Sequence, residues 1–316
     1  PQDWTTNLIV PEDFTEEVER AGRDGHAGDL EMLAAEIEGF DWQVEGLRKV
    51  ARKLLGLKAW ESARNAWQKV AALKEGDGEA EALLPTLVAP AKLDELDMRP
   101  GAAASPPTYA RVLLFTGHMI DKPGRTPPRF PPEMEDVARR AIRNAVIAEI
   151  ELARTAAEHQ GTPADAPILA IAGGACGGDI LFHEVCDALP PDSHIETHVH
   201  LALPRDQFIV ASVQHAGPAW VDRFNALCDR VQPRVLANSE ELPRWLRKKK
   251  GYTIWSRNNL WTLHNALVHG GSKVTLIALW DGGTGDGPGG TEDMVQQARA
   301  RGAKIIHLNT KELFGL

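Results

Sequence analysis

Three stretches place glycines directly after an apolar run and directly before a helix-favouring segment. The first is Thr116-Gly117-His118-Met119-Ile120-Asp121. The second is Gly173-Gly174-Ala175-Cys176-Gly177-Gly178-Asp179. The third runs from Asp281 to Gly290, holds six glycines and a proline, and leads into Thr291, Glu292 and Asp293. Backbone without side chains can approach an anion closely, and the first N–H groups of a helix point at it. A fourth cluster, Trp255 to Trp261, supplies Arg257 and Asn258 just ahead of a helix expected over Asn259–Val268. On this reading the backbone at Gly173, Gly174, Gly177, Gly178, Gly289 and Gly290, with Arg257, takes phosphates. Thr116, Asp179 and Asp293 take ribose or base, while Gly117, His118, Asn258 and Thr291 complete the lining. The spacing GGACGGD does not fit the dinucleotide fingerprint G-x-G-x-x-G.

Other residues could carry different chemistry. Asp293 or Glu184 could serve as the carboxylate of a glycoside hydrolase. Cys176 sits where a helix amino end would lower a thiol pKa, yet without an evident histidine partner it reads as a small turn residue. His194, His198 and His200 share strand parity, but they read as structural and no metal site is expected. Arg247 to Lys250 reads as a solvated charge run that could add positive potential near Arg257.

These loops need elements to hold them. Val274–Trp280 has the length and branching of a buried parallel strand. Thr291–Arg301 reads as a helix with Thr291 as N-cap. Further strands are expected at Ala110–Thr116, Pro167–Ala172, His194–Leu203, Arg234–Ala237 and Lys304–Asn309. Helices are expected at Glu133–His159, Ile180–Leu189, Gln207–Val213 and Trp220–Asp229. Such alternation implies a Rossmann-like α/β domain over 109–316, a mostly parallel sheet with helices on both faces. Residues 1–93 read as all-helical, with candidates at Pro11–Ala21, Asp29–Gly39, Gln43–Leu55 and Trp60–Leu73. Pro100, Gly101, the following alanines, Pro106 and Pro107 mark a linker over 94–108.

The segment from Val50 to Ala80 resembles a tetratricopeptide (TPR) repeat. Ala51, Leu54, Leu55, Trp60, Ala63, Trp67 and Val70 fall where that repeat packs helix on helix. One repeat cannot bury its own face, which implies further packing partners. Residues 109–310 resemble the SLOG superfamily, which unites Rossmann-like domains of DNA-uptake proteins with the LOG phosphoribohydrolases. The carriers are VLLFTG, IAGGACGGD, the Arg257-Asn258 segment, and IALWDGG with GPGGTEDMVQQARARGAKII. The resemblance implies a bound nucleotide or nucleotide-derived second messenger, and a sensor role such as relatives play in bacterial defence. It also implies pairing through helices beside the pocket, hence a homo-oligomer. LOG hydrolases carry a glutamate three residues after the threonine; here that position is Met294, and Asp293 stands one place earlier. One residue turns a helix by about 100°, so the hydrolase, a nucleoside-monophosphate N-glycosidase, is the alternative to a sensor. A vestigial pocket in a non-catalytic scaffold is the third reading.

The totals set limits. The chain has 316 residues, 43% of them apolar, and a formal charge of −9. That charge argues against wholesale nucleic-acid binding. No run is long and apolar enough to span a membrane. Three scattered cysteines suggest a reducing, cytoplasmic setting rather than a disulfide framework. The chain opens on Pro1, so a fragment or processed form is expected. No cofactor is required on this reading. The expected partners are a nucleotide-derived small molecule and a protein that docks on the helical module.

Overall fold

The computed structural model describes residues 9–88, 108–160, 166–284 and 287–316, with the backbone alone at 157–160. The expected linker at 94–108 lies, apart from Thr108, outside the described residues. Contacts divide the chain into two compact units. One comprises Pro1–Pro106 with Pro243–Lys248, the other Pro107–Leu242 with Lys249–Leu316.

The first unit is helical, with α1 (Glu12–Arg23), α2 (Ala27–Glu36), α3 (Gln43–Gly56), α4 (Trp60–Leu73) and α5 (Gly78–Leu83). Helices α3 and α4 form a hairpin that turns through Lys58, whose φ is 58°. Ala51, Leu54, Ala63, Trp67 and Val70 are fully buried in it, while Leu55 and Trp60 are only half-buried. The short α5 was not legible in the sequence. Asp77 caps it by accepting the Ala80 N–H at 3.0 Å, and the same carboxylate is paired with Arg48. The segment Pro243–Lys248 completes this unit's core. Trp245 packs edge-on against Phe14, Phe40 and Trp42, and its indole N–H donates to Glu17 at 3.1 Å.

The second unit is α/β. Six strands, β1 (Arg111–Gly117), β2 (Ile168–Ala172), β3 (Ile195–Leu201), β4 (Arg234–Val235), β5 (Val274–Trp280) and β6 (Lys304–Asn309), form one parallel sheet in the order β4-β3-β2-β1-β5-β6. Its helices are α6 (Glu135–Gln160), α7 (Gly178–Asp187), α8 (Arg205–Ser212), α9 (Pro218–Arg230), α10 (Ile254–Leu267), α11 (Thr291–Ala300) and α12 (Thr310–Phe314). Strand parity decides what each face buries. Leu113 and Phe115 of β1 face a core built with Ile142, Val146, Ile180, Phe182 and Phe224 of α6, α7 and α9. Val112 and Leu114 face a second core with Leu263 and Ala266 of α10 and Met294, Val295 and Ala298 of α11. Helices thus cover both faces, which is why the central strands read as continuous apolar runs rather than alternating ones.

At the amino ends of the strands one buried carboxylate ties three of them together. Glu149 of α6, 1% exposed, accepts from Thr275 at 2.7 Å and from Lys304 at 2.5 Å, and lies 3.7 Å from Arg111. The opposite, carboxyl-end rim is left to the glycine loops.

Candidate functional site

The chain leaves β1 for β2, β3 and β4 on one side, then returns to β5 and β6 on the other. The winding direction therefore reverses between β1 and β5. At such a switch point the loops diverge to opposite faces and leave a crevice beyond the strand ends.

Thr116 and Gly117 close β1 in register with Ala278 and Leu279 of β5. His118 extends that pairing, its N–H donating to the Leu279 carbonyl at 2.9 Å. Its own carbonyl accepts the Gly178 N–H at 3.1 Å, which ties the end of β1 to the start of α7. Its ring Nε2 lies 3.1 Å from Oδ1 of Asp281, the first residue after β5. Asp281 Oδ1 also accepts the Gly283 N–H at 3.0 Å. Burial pushes the Asp281 carboxyl up. The bonds from Gly283 and His118, with the charge of Lys311, outweigh burial and hold it below the usual carboxylate range.

The glycine turn after β2 has its own reasons for glycine. A β-carbon on Gly173 would lie 2.5 Å from Asp179 Oδ2, and one on Gly174 would lie 2.8 Å from the Phe224 ring. Gly177 has φ +101°, and its β-carbon would meet the Ile120 nitrogen at 2.7 Å and the His118 carbonyl at 2.8 Å. Asp179 folds back onto this turn, with Oδ2 accepting the Ala175 N–H at 3.2 Å. Burial pushes its carboxyl up to about 7. His183, fully buried, has Nε2 2.9 Å from the Gly173 carbonyl, and burial lowers it to about 4. It is therefore neutral at pH 7 and donates that hydrogen bond. Several N–H groups of this turn are committed internally: Ala175 to Asp179, Cys176 to Ser212 and Gly178 to His118.

The fourth cluster differs from its expected placement. Helix α10 begins at Ile254, five residues before the expected Asn259, because Thr253 Oγ1 caps it by accepting the Ser256 N–H at 3.1 Å. Arg257 and Asn258 are thus inside the first turns of a helix, and Arg257 is 2% exposed. Thr291 likewise is not the N-cap of α11. Gly290 holds that position with no side-chain cap, and Thr291 is the first helical residue, 8% exposed. The carboxylate that would make a threonine cap redundant is Asp293. Its Oδ2 reaches back to the Gly289 N–H at 3.1 Å and to Asn259 Nδ2 at 3.2 Å, and its Oδ1 accepts from Gln297 at 3.1 Å. Asn259 also donates to the Gly290 carbonyl at 3.2 Å. Gly289, φ +91°, abuts the first turn of α10, where an added β-carbon would fall on Trp255 and 2.7 Å from the Ser256 nitrogen.

Glu184 is held elsewhere. Arg223 donates to both its oxygens at 2.7 and 2.8 Å, Arg139 adds a third contact at 2.8 Å, and Glu135 closes the network on both arginines. These pairings hold its carboxyl low against the burial that raises it. Cys176 does have a histidine neighbour, His215, with Nε2 3.4 Å from Sγ and 3.0 Å from the Ile120 carbonyl. Burial nevertheless pushes this thiol up to about 12, against the lowering a helix amino end would give. Such a thiol is not a nucleophile near neutrality. His194 precedes β3 with φ 48°, His198 contacts Glu196 at 2.8 Å, and His200 stacks on Trp261 at 4.4 Å. Among the described residues no group of three or more His, Cys, Asp or Glu could hold a metal ion.

The structure therefore brings Thr116, Gly117, His118, Gly177 and Gly178 together at the β1 end, and gathers Gly289, Gly290, Thr291 and Asp293 with the first turns of α10. Asp281 joins the first group although sequence reasoning passed over it. The available signal was its position, the residue directly following a buried strand. No protein-family model, no curated protein and no solved structure matches this chain.

Proposed function

We propose that the α/β unit binds a nucleotide or a nucleotide-derived second messenger in the crevice between the carboxyl ends of β1 and β5, as a SLOG-type sensor. The observation that carries this reading is the reversal of strand order there, with His118 at the end of β1 bonded backbone to backbone to Leu279 of β5 and to Gly178 of α7. A doubly wound parallel sheet offers its ligand crevice at that point. Binding without turnover fits the two carboxylates that the hydrolase reading offers, Asp293 and Glu184, better than N-glycoside hydrolysis does. A hydrolase needs a carboxylate facing the ribosyl bond. Here Asp293 has both oxygens engaged in loop and helix contacts, and Glu184 has both on arginines.

In this reading the α3–α4 hairpin is TPR-like and the helical unit serves a protein partner. The α/β unit pairs into a homo-oligomer and the protein works in the cytoplasm, with bacterial antiviral defence as its setting. No helix among the described residues is long and apolar enough to cross a membrane, and the three cysteines are unpaired and buried.

The test is calorimetry and thermal shift of the full chain with AMP, ADP-ribose and cyclic dinucleotides, run beside a base-release assay. Saturable binding with no free base is expected. Release of base by the wild type would replace the sensor with the hydrolase. No binding of any of these nucleotides would leave only the scaffold.

A further inference from the structure

We propose that Asp281, oriented by His118, is the residue that accepts hydrogen bonds from the ribose hydroxyls of the bound nucleotide. This rests on the nucleotide-binding reading and names the contact within it.

Three carboxylates stand at the carboxyl-end rim, those of Asp179, Asp281 and Asp293. Asp179 is folded onto the Gly173–Ala175 turn, and burial favours its neutral form. Asp293 holds Gly289, Asn259 and Gln297 with its two oxygens. Asp281 differs from both. Only its Oδ1 is engaged, by His118 and the Gly283 N–H, while Oδ2 takes no hydrogen bond from any described residue. Its side chain keeps 12% exposure beside a His118 side chain that keeps 2%. An ionised carboxylate with one oxygen pinned and the other open can accept a ribose hydroxyl without reorganising, since its direction is set before the ligand arrives. The position is also the right one, because Asp281 follows β5 directly and lies opposite the end of β1 across the switch point.

His118 is the positioning residue. It is fixed at three points, through its N–H on Leu279, its carbonyl on Gly178 and its ring on Asp281. Its Nε2 also lies 3.2 Å from the Asp281 backbone nitrogen; when protonated, Nε2 donates to Oδ1 and does not accept that N–H, so the ring holds this loop through the carboxylate.

The experiment is calorimetry of the full chain with AMP, 2′-deoxy-AMP and 2′,3′-dideoxy-AMP. The wild type should bind AMP more tightly than the dideoxy analogue by about tenfold or more, the worth of a hydrogen bond to a charged group. Asp281→Asn should weaken AMP binding by a similar factor and abolish the discrimination. Asp293→Asn should keep the ratio between the two ligands. His118→Gln should reduce the ratio without abolishing binding, which a purely structural role would not do. Circular dichroism confirms that each variant is folded. Equal affinity of the wild type for AMP and its dideoxy analogue overturns the assignment with no variant needed. So does an Asp281→Asn protein that still discriminates. In both cases nucleotide binding survives, whereas a wild type that binds no nucleotide at all overturns the broader reading and this one with it.

Discussion

A β-carbon placed on Gly178 would stand 3.0 Å from the Cα of Gly117, with the Phe115 ring at the same distance. The first residue of α7 and the last of β1 thus touch backbone to backbone. That contact lets the His118 carbonyl reach the Gly178 N–H and draws the two loops into one rim. Gly178→Ala should be destabilising by about 1–3 kcal/mol, since neither backbone can move aside without disturbing β1. Gly271→Ala is the control. Its β-carbon would meet only Leu267, at 3.8 Å, and it should be near neutral. Urea denaturation of the two variants against the wild type checks this; equal midpoints for all three would refute it.

Asp179 and His183 grip the same turn and should oppose each other in pH. Burial raises Asp179 to about 7, so the folded state holds a proton that the unfolded chain, at its ordinary carboxylate pKa, has lost. Its contribution to stability is full below about pH 4 and falls away as pH rises toward 7. Burial lowers His183 to about 4, so the unfolded chain takes up a proton first as pH falls below about 6.5. Its contribution is full above that pH and is lost on descending toward 4. Over that window the two slopes offset. In Asp179→Asn, which keeps an acceptor for the Ala175 N–H, Tm should rise with pH between about 4 and 6.5 relative to wild type. In His183→Gln it should fall over the same range. Melting curves across pH 4–8 decide, and parallel profiles for all three proteins would count against both assignments.

Much of the scaffold was readable. The spans of α4, β5 and β6 were expected residue for residue, because Val274–Trp280 is an uninterrupted apolar run and Trp60–Leu73 keeps an apolar face at helical spacing. The amino end of α10 was not, since Thr253 is a β-branched cap followed by Ile254 and Trp255, which carry little helix signal of their own. The glycine clusters were legible as clusters, but their cause was not. Gly174 yields to Phe224, Gly177 to the backbone of His118–Ile120 and Gly289 to Trp255, and all these neighbours are distant in sequence. Asp281 was missed for the same reason, its partner His118 being 163 residues away.

Trp245 is the anchor of the inserted segment in the helical unit. It is 6% exposed, lies 5.1 Å from Phe14 and 5.8 Å from Trp42 by ring centroid, and donates to Glu17. Trp245→Ala empties an aromatic site and should cost the helical unit about 3–5 kcal/mol. Trp245→Phe keeps most of the ring contacts and loses the bond to Glu17, so it should cost less. Hydrogen exchange in α1 and α3 measures the loss where it should occur. Unchanged protection there in Trp245→Ala would show that the segment contributes nothing to the unit's core.

Gly289 tests whether the rim beside α10 is glycine-rich for a ligand or for packing. Its φ of +91° is one that L side chains rarely adopt, and its β-carbon would fall on Trp255. Both strain and overlap act before any ligand is present. Gly289→Ala should therefore be destabilising by about 2–4 kcal/mol, combining positive-φ strain with overpacking against a helix that cannot retreat. Asp293→Asn should cost about 1–2 kcal/mol, because it exchanges the charged acceptor that holds Gly289 and Asn259 for a neutral one. The two positions share that loop, so their effects should not add; a double-mutant cycle should show coupling of at least about 0.5 kcal/mol. If Gly289→Ala melted with the wild type and altered only nucleotide affinity, close ligand approach would account for the glycine, and the packing explanation would be wrong.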